Sequence, residues 1–205
     1  MRLTGGSQPR SDMESLIIVC EKPDAQNALE LAADAGFGGA QTWLEEDVEN
    51  CEIPAASLFC VAIKDAKKRE KIADFLRKGG AKFASIIHPS CEISKFAKIG
   101  EGALVEPFCL VSANAKLGDF CVVQSHSLIG HNAEVGAFSN IGSHCDITGF
   151  CKIGEFCEIE DGAVLIPNVK IGAGVRVVAN SAAIKSAKDF ETIGGIPARK
   201  IGAGK

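Results

Sequence analysis

Four histidines, His88, His126, His131 and His144, are the side chains best suited to moving protons near neutrality, because an unperturbed imidazole titrates at about 6.5. Used as a general base toward an amine or a hydroxyl, one such ring contributes roughly 10²–10⁴-fold to a rate. Nine cysteines are the other conspicuous reactive groups. Together the two residue types raise three chemistries: proton abstraction, zinc binding and disulfide cross-linking. Which of them applies depends on where the elements of the chain place these side chains.

A repeat does most of that sorting. Counting from Ile87 in steps of six, sixteen consecutive positions ending at Val177 are all Ile, Leu or Val. From 85 to 163, the residue two before each aliphatic is always Ala, Cys or Ser. From 96 to 180, the residue three after it is only Phe, Gly, Asn or His. Residues two apart in a strand share a face, so the aliphatic and small residues point inward together. Gly, Asn and His tolerate positive φ and mark a turn. Each hexad therefore reads as a short strand and a turn, and stacked hexads form a parallel β-helix with a continuous core. Six cysteines (Cys91, Cys109, Cys121, Cys145, Cys151 and Cys157) fall in the small inward position, interchangeable with Ala and Ser. They read as core residues, and so many thiols fit a reducing, cytoplasmic setting better than a disulfide framework.

The 205 residues are 46% apolar and 23% charged, with 26 acidic and 22 basic side chains for a formal charge of −4. This excludes collagen-like and disordered classes, and no basic tail points to nucleic acid or an anionic membrane. No apolar run approaches the roughly 20 residues of a membrane span, and the run at 16–20 is too short for a secretory core. Residues 1–13 read as a mobile tail. Residues 14–84 read as a small α/β domain, with strands at Ser15–Cys20 and Ser57–Ile63 and helices at Ala25–Ala35 and Asp65–Lys78, the last closed by Gly79-Gly80. Residues 85–182 form the β-helix and 183–205 a C-terminal loop and tail.

The hexad array, the junction Ile86-Ile87-His88-Pro89-Ser90, the stretch Ile129-Gly130-His131-Asn132-Ala133-Glu134-Val135-Gly136 and the closing Gly194-Gly195-Ile196-Pro197-Ala198-Arg199-Lys200 resemble the hexapeptide-repeat acyltransferases. The likeness is to the bacterial sugar acetyltransferases, among them sialic acid O-acetyltransferases and nucleotide-amino-sugar N-acetyltransferases. It implies a Rossmann-like N-terminal domain followed by a left-handed parallel β-helix, and a homotrimer. It also implies acetyl-CoA as co-substrate between neighbouring helices, a sugar or nucleotide-sugar acceptor acylated on an amine or hydroxyl, and no metal.

In such a helix three hexads make one coil, so residues 18 apart stack. His126 and His144 share the turn position of Asn114 and Asn132 and are read as turn residues, and His88 as part of the junction. His131 sits two residues after Ile129, in a register with no other aromatic ring, so the repeat does not require it. Its place matches the family's general base. Asn132 stands beside it where the compared relative has an acidic residue, and is expected to orient the imidazole. Gly149, one coil on, leaves room for a thioester, and its N–H is the expected oxyanion donor. The resemblance further places acetyl-CoA against Asn140, Gly149, Asp161 and Ala179.

For the acceptor, the resemblance selects Glu45 and Glu46, together with Lys64 where relatives carry a glycine. The turn Cys20-Glu21-Lys22-Pro23-Asp24-Ala25-Gln26 contains no glycine to cradle phosphate; Pro23 lacks a donor, and Glu21 and Asp24 repel anions. The column Lys98, Lys116, Glu134, Lys152, Lys170 is read as a solvated stripe. Two rival functions share the fold. β-Helix carbonic anhydrases bind zinc through a histidine pair spaced as in His126-x-x-x-x-His131, but one position earlier in the hexad. A non-catalytic trimeric sugar-binding scaffold would suit the glycine-free turn and Asn132, whereas the isolated His131 beneath Gly149 favours the enzyme.

Overall fold

The first apolar run, Ser15–Cys20, forms β1 and is buried at every position after the first, as a central parallel strand must be. Around it β2 (Gln41–Leu44), β3 (Ser57–Ala62) and β4 (Lys82–Phe83) complete a parallel sheet of order β2-β1-β3-β4. The computed structural model describes residues 15–54 and 57–203, so the expected tail at 1–13 lies outside the described residues. Helix α1 (Ala25–Asp34) and helix α2 (Ala66–Lys78) match the expected segments closely. Asp65 caps α2, its Oδ1 accepting from the Lys67 and Lys68 N–H groups at 2.9 Å each. Gly80, at φ +86°, turns the chain out of the helix. Strands β2 and β4 carry no pattern long enough to be read from sequence.

From Ile86 the chain winds into a parallel solenoid of seventeen two-residue strands, β5 (Ile86–Ile87) to β21 (Ala182–Ala183), in three stacked sheets. Paired residues are 18 apart, as in Val123↔Ile141 and Ile129↔Ile147. The aliphatic repeat supplies the second residue of each strand, and every member from Val105 to Val177 is buried. The small inward position does more than save space. Cys121 and Cys157 Sγ donate to the Gly136 and Gly172 carbonyls at 3.0 and 2.9 Å, and Ser127 and Ser139 Oγ to those of Gly142 and Gly154 at 2.6 and 2.8 Å. Cys and Ser thus satisfy corner carbonyls that Ala cannot.

The nine thiols are free. Burial pushes Cys60 and Cys121 up to about 12 and Cys145 and Cys157 to about 11, from a reference of 9.0. Below 9 these thiols are protonated whether the chain is folded or unfolded, and their stabilising contribution is fully present. As pH rises from 9 toward 12 the unfolded chain gains thiolate that the folded chain resists, so stability is lost. Urea midpoints should therefore fall steadily above pH 9, and a Cys121→Ser/Cys157→Ser variant should fall less; equal slopes would discount the thiols.

Every turn position from Gly102 to Asn180 has positive φ, including Phe108, Phe120, Phe138, Phe150 and Phe156. Phenylalanine is not a natural occupant, since left-handed backbone costs an L-residue about 1–2 kcal/mol. Stacking along the column offsets this: the Phe120–Phe138 and Phe138–Phe156 centroids lie 5.1 and 5.3 Å apart. The C-terminal segment corrects the expected loop and tail at 183–205. Strands β22 (Glu191–Gly195) and β23 (Ala198–Ala203) form an antiparallel hairpin that extends one sheet and covers the end of the core.

The three solenoid faces differ in what they turn outward. The first (Ile86, Leu104, Val122, Asn140) packs against the α/β unit, with Ile86 and Leu104 buried beneath it. The third carries Lys98, Lys116, Glu134, Lys152 and Lys170, where Glu134 meets Lys116 at 2.9 Å and Lys152 at 3.7 Å. The second shows Leu110, Leu128, Asp146, Val164 and Ala182, with Leu110 and Val164 exposed.

Candidate active site

His131 lies at the edge between the second and third faces, in the turn after Leu128–Ile129, and is exposed. Three groups hold it. Its Nδ1 is 3.0 Å from Asn132 Nδ2, its ring meets Phe150 edge-on with centroids 5.0 Å apart at 87°, and its carbonyl accepts from the Phe150 N–H at 3.0 Å. Asn132 adopts φ +57°, which brings its amide beside the ring one residue before it. Gly149 is buried directly above, and a Cβ built there would stand 2.7 Å from His131 Nε2. Nε2 is therefore the ring atom turned toward Gly149. Among the described residues the Gly149 N–H has no acceptor. The corner thus brings an imidazole nitrogen against Gly149, whose backbone N–H has no acceptor among the described residues.

The other histidines lie elsewhere. His126 and His144 sit on the edge between the first and second faces at φ +62° and +56°, stacked 4.9 Å apart, with Phe108 stacked 4.9 Å beyond His126. His126 and His131 thus occupy different edges despite their zinc-like spacing. Among the described residues no cluster of three or more His, Cys, Asp or Glu side chains is placed to hold a metal. His88 joins α1 to the first corner, with Nε2 3.2 Å from Asp34 Oδ2 and Nδ1 2.7 Å from Ser90 Oγ.

A cleft of about 430 Å³ opens between α1 and the first face, at the carboxyl ends of β1 and β3. Strand order changes direction there, which is where open parallel sheets receive ligands. Lys64 and Asn140 line it, with Asp24, Glu30, Glu106 and Gln124. Glu45 and Glu46 line a separate hollow of about 310 Å³ beside α2, where Glu45 accepts from Lys68 Nζ at 3.0 Å. Lys64 is thus not brought together with the two glutamates. Asp161 and Ala179 stack on the edge between the first and second faces. Asp161 Oδ1 accepts from the Ser143 N–H at 2.8 Å, and the Ala179 N–H donates to Glu160 at 3.0 Å.

Asn140 is 5% exposed and fully engaged within the chain. Its Nδ2 donates to the Lys64 carbonyl at 2.8 Å and to Glu158 at 3.0 Å, and its Oδ1 accepts from Arg69 Nη2 at 2.8 Å. That makes it a link between units rather than a free contact for a cofactor. Arg69 itself is fully buried and uses all its donors: Nε on the Phe120 carbonyl at 2.9 Å, Nη1 on the Ile63 and Lys64 carbonyls, Nη2 on the Phe138 carbonyl and Asn140. Burial pulls its pKa down to about 10, so it remains charged at neutral pH. Sequence reading missed Arg69, although a signal was present. With Ile72, Ala73 and Leu76 it falls on the i, i+3, i+4, i+7 stripe that α2 buries.

Residues 150–182 match the family described as bacterial transferase hexapeptide (six repeats). No curated protein sequence matches the chain. Among solved structures, a mutant of perosamine N-acetyltransferase from Caulobacter crescentus, in complex with CoA and GDP-perosamine, is similar at a TM-score of 0.85 and 23% identity, covering 92% of this chain and 97% of that one. The acetyltransferase domain of PglB from Neisseria gonorrhoeae, in complex with acetyl coenzyme A, gives 0.84 and 24%, covering 92% and 99%. WeeI from Acinetobacter baumannii AYE gives 0.80 and 23%, covering 91% and 100%. The chain therefore carries the bacterial transferase hexapeptide repeat at 150–182 and has the fold of these three proteins.

Proposed function

We propose that this protein is an acetyl-CoA-dependent acetyltransferase acting on an amine or hydroxyl of a sugar, with His131 as general base. The observation that carries the reading is the His131–Gly149 corner, where His131 Nε2 occupies the space that any side chain on residue 149 would need and the Gly149 N–H has no acceptor among the described residues. His131 Nε2 takes the nucleophile's proton as it attacks the thioester carbonyl, and the Gly149 N–H receives the oxygen as it gains charge. Asn132 orients the ring through Nδ1. The C. crescentus protein's complex with CoA and GDP-perosamine and the Neisseria domain's complex with acetyl-CoA support the co-substrate and a sugar acceptor. On this reading the N-terminal unit is a Rossmann-like acceptor domain and the solenoid is left-handed.

The site is shared between chains. The α/β unit covers the first face, whereas His131 lies on the edge opposite that face, so one chain does not bring its own base to its own cleft. A neighbour must supply it, as in a homotrimer. The uncovered apolar second face is the surface suited to that contact. It runs between the edge bearing His131 and the edge beside the cleft, and its Asp146 Oδ1 is buried without a hydrogen-bond partner among the described residues. No helix among the described residues is long and apolar enough to cross a membrane, and the free thiols suit a cytoplasmic setting.

Two measurements test the reading. Acetyl-CoA at about 100 times its Kd should stabilise the folded protein by about 2.7 kcal/mol. No shift in melting temperature would favour the non-catalytic sugar-binding trimer. Gly149→Ala should keep its folding free energy within about 0.5 kcal/mol, because the exposed ring can swing away, but lose about 100-fold in kcat. Native kcat in that variant would remove Gly149 from the site.

A further inference from the structure

Resting on the acetyltransferase reading above, we infer that the acceptor is an amino sugar that arrives with its amine as an ammonium and carries no phosphate or pyrophosphate. The cleft at the ends of β1 and β3 is lined by four carboxylates. Asp24, Glu30 and Asp34 come from the α1 side and Glu106 from the solenoid, against the ammonium of Lys64 and the imidazole of His88. His88 is already paired with Asp34, and Glu106 is held in place by the Ser125 N–H and Oγ at 3.0 and 2.9 Å. Asp24 stands at the N-cap of α1 without making a cap bond, so a carboxylate occupies the helix end where a phosphate would otherwise be received.

Beyond Lys64 in the lining and Lys22 in the turn, the nearby cations of α2 are committed elsewhere. At the start of α2, Lys68 is held by Glu21 and Glu45 at 3.3 and 3.0 Å, and Lys67 by Glu70 at 3.2 Å and the face of Phe156. Arg69 spends its donors on carbonyls and Asn140. The turn from β1 into α1 offers Pro23, which has no N–H, and the Asp24 N–H is used by the Glu21 carbonyl. A pyrophosphate entering here meets like charge and finds no donor at Pro23 or Asp24, whereas an ammonium is drawn in.

The reaction balances as R–NH₃⁺ plus acetyl-CoA giving R–NH–CO–CH₃, free CoA thiol and one proton. The C–N bond forms and the C–S bond breaks. One nitrogen proton is lost to solvent before attack; another passes through His131 to the departing sulfur. A hydroxyl acceptor would release the thiol with no net proton.

The experiment uses the full chain with acetyl-CoA and a panel of 2-, 3- and 4-amino hexoses, each free and as its nucleotide-diphosphate conjugate, with neutral hexoses alongside. Thiol and proton release are followed together at pH 6.5. A free amino sugar should be acetylated with kcat/KM about tenfold or more above its conjugate, releasing about one proton per thiol. In Asp24→Asn/Glu30→Gln that preference should shrink about tenfold. Preference for the conjugates, thiol release from neutral hexoses without protons, or an inert panel despite stabilisation by acetyl-CoA would each overturn the inference and leave the broader reading standing. Absence of acetyl-CoA binding would overturn that reading first, and this inference with it.

Discussion

Replacing His131 with alanine should lower kcat for acetyl transfer by about 10²–10⁴-fold, the span that a positioned base contributes. Acetyl-CoA binding and the melting temperature should stay close to native. The ring is exposed, packs only its edge on Phe150 and shares a single side-chain hydrogen bond with Asn132, so its loss leaves no buried group unpaired. The neighbouring amide sets which ring nitrogen carries the proton. As placed here the NH₂ of Asn132 faces Nδ1, which puts the neutral ring's proton on Nε2; with the amide flipped, its oxygen accepts from Nδ1–H and leaves Nε2 as the base. Only the second arrangement serves catalysis at the Gly149 corner. Steady-state kinetics with paired thermal denaturation check the prediction, and an alanine variant with native turnover removes the mechanism.

The second large effect concerns folding. Arg69→Ala should cost about 3–5 kcal/mol, the range seen when one partner of a buried, hydrogen-bonded charge network is removed. The deletion strands the carbonyls of Phe120 and Phe138 on the solenoid and those of Ile63 and Lys64 at the end of β3, and leaves Asn140 without its donor. Arg69→Lys keeps the charge but offers three donors in place of a planar fork, so it should fall between the two. Because Lys64 and Asn140 also line the cleft, any folded Arg69→Lys protein should show a raised acceptor KM with acetyl-CoA affinity unchanged. Urea denaturation gives the first quantity; a loss below about 1 kcal/mol would mean that the network is not under strain to form.

The His131–Gly149 corner is legible in the sequence because the repeat defines what is ordinary. His131 is the only aromatic ring in its register, and the 18-residue stacking puts Gly149 above it. The acceptor side was not legible to the same depth. Glu45, Glu46 and Lys64 came from likeness, and the fold separates them into two hollows. The carboxylates Glu30, Asp34 and Glu106 lie far apart in sequence and share no period. Phe120 and Phe138 at positive φ also ran against local preference, since their stabilisation comes from rings one coil away.

The amino-acid sequence alone determined the solenoid, its period, its inward column of aliphatic and small residues and the one imidazole that the repeat does not need. Each of those follows from contacts at a constant spacing, so every hexad restates the same local rule. Only the tertiary structure decided which face the α/β unit covers, how Arg69 and Asn140 clamp it there, which carboxylates meet in the cleft, and that the last residues form a hairpin. Those arrangements depend on single pairings between aperiodic segments, where burial and hydrogen-bond satisfaction select one partner among many and no spacing in the chain announces the choice.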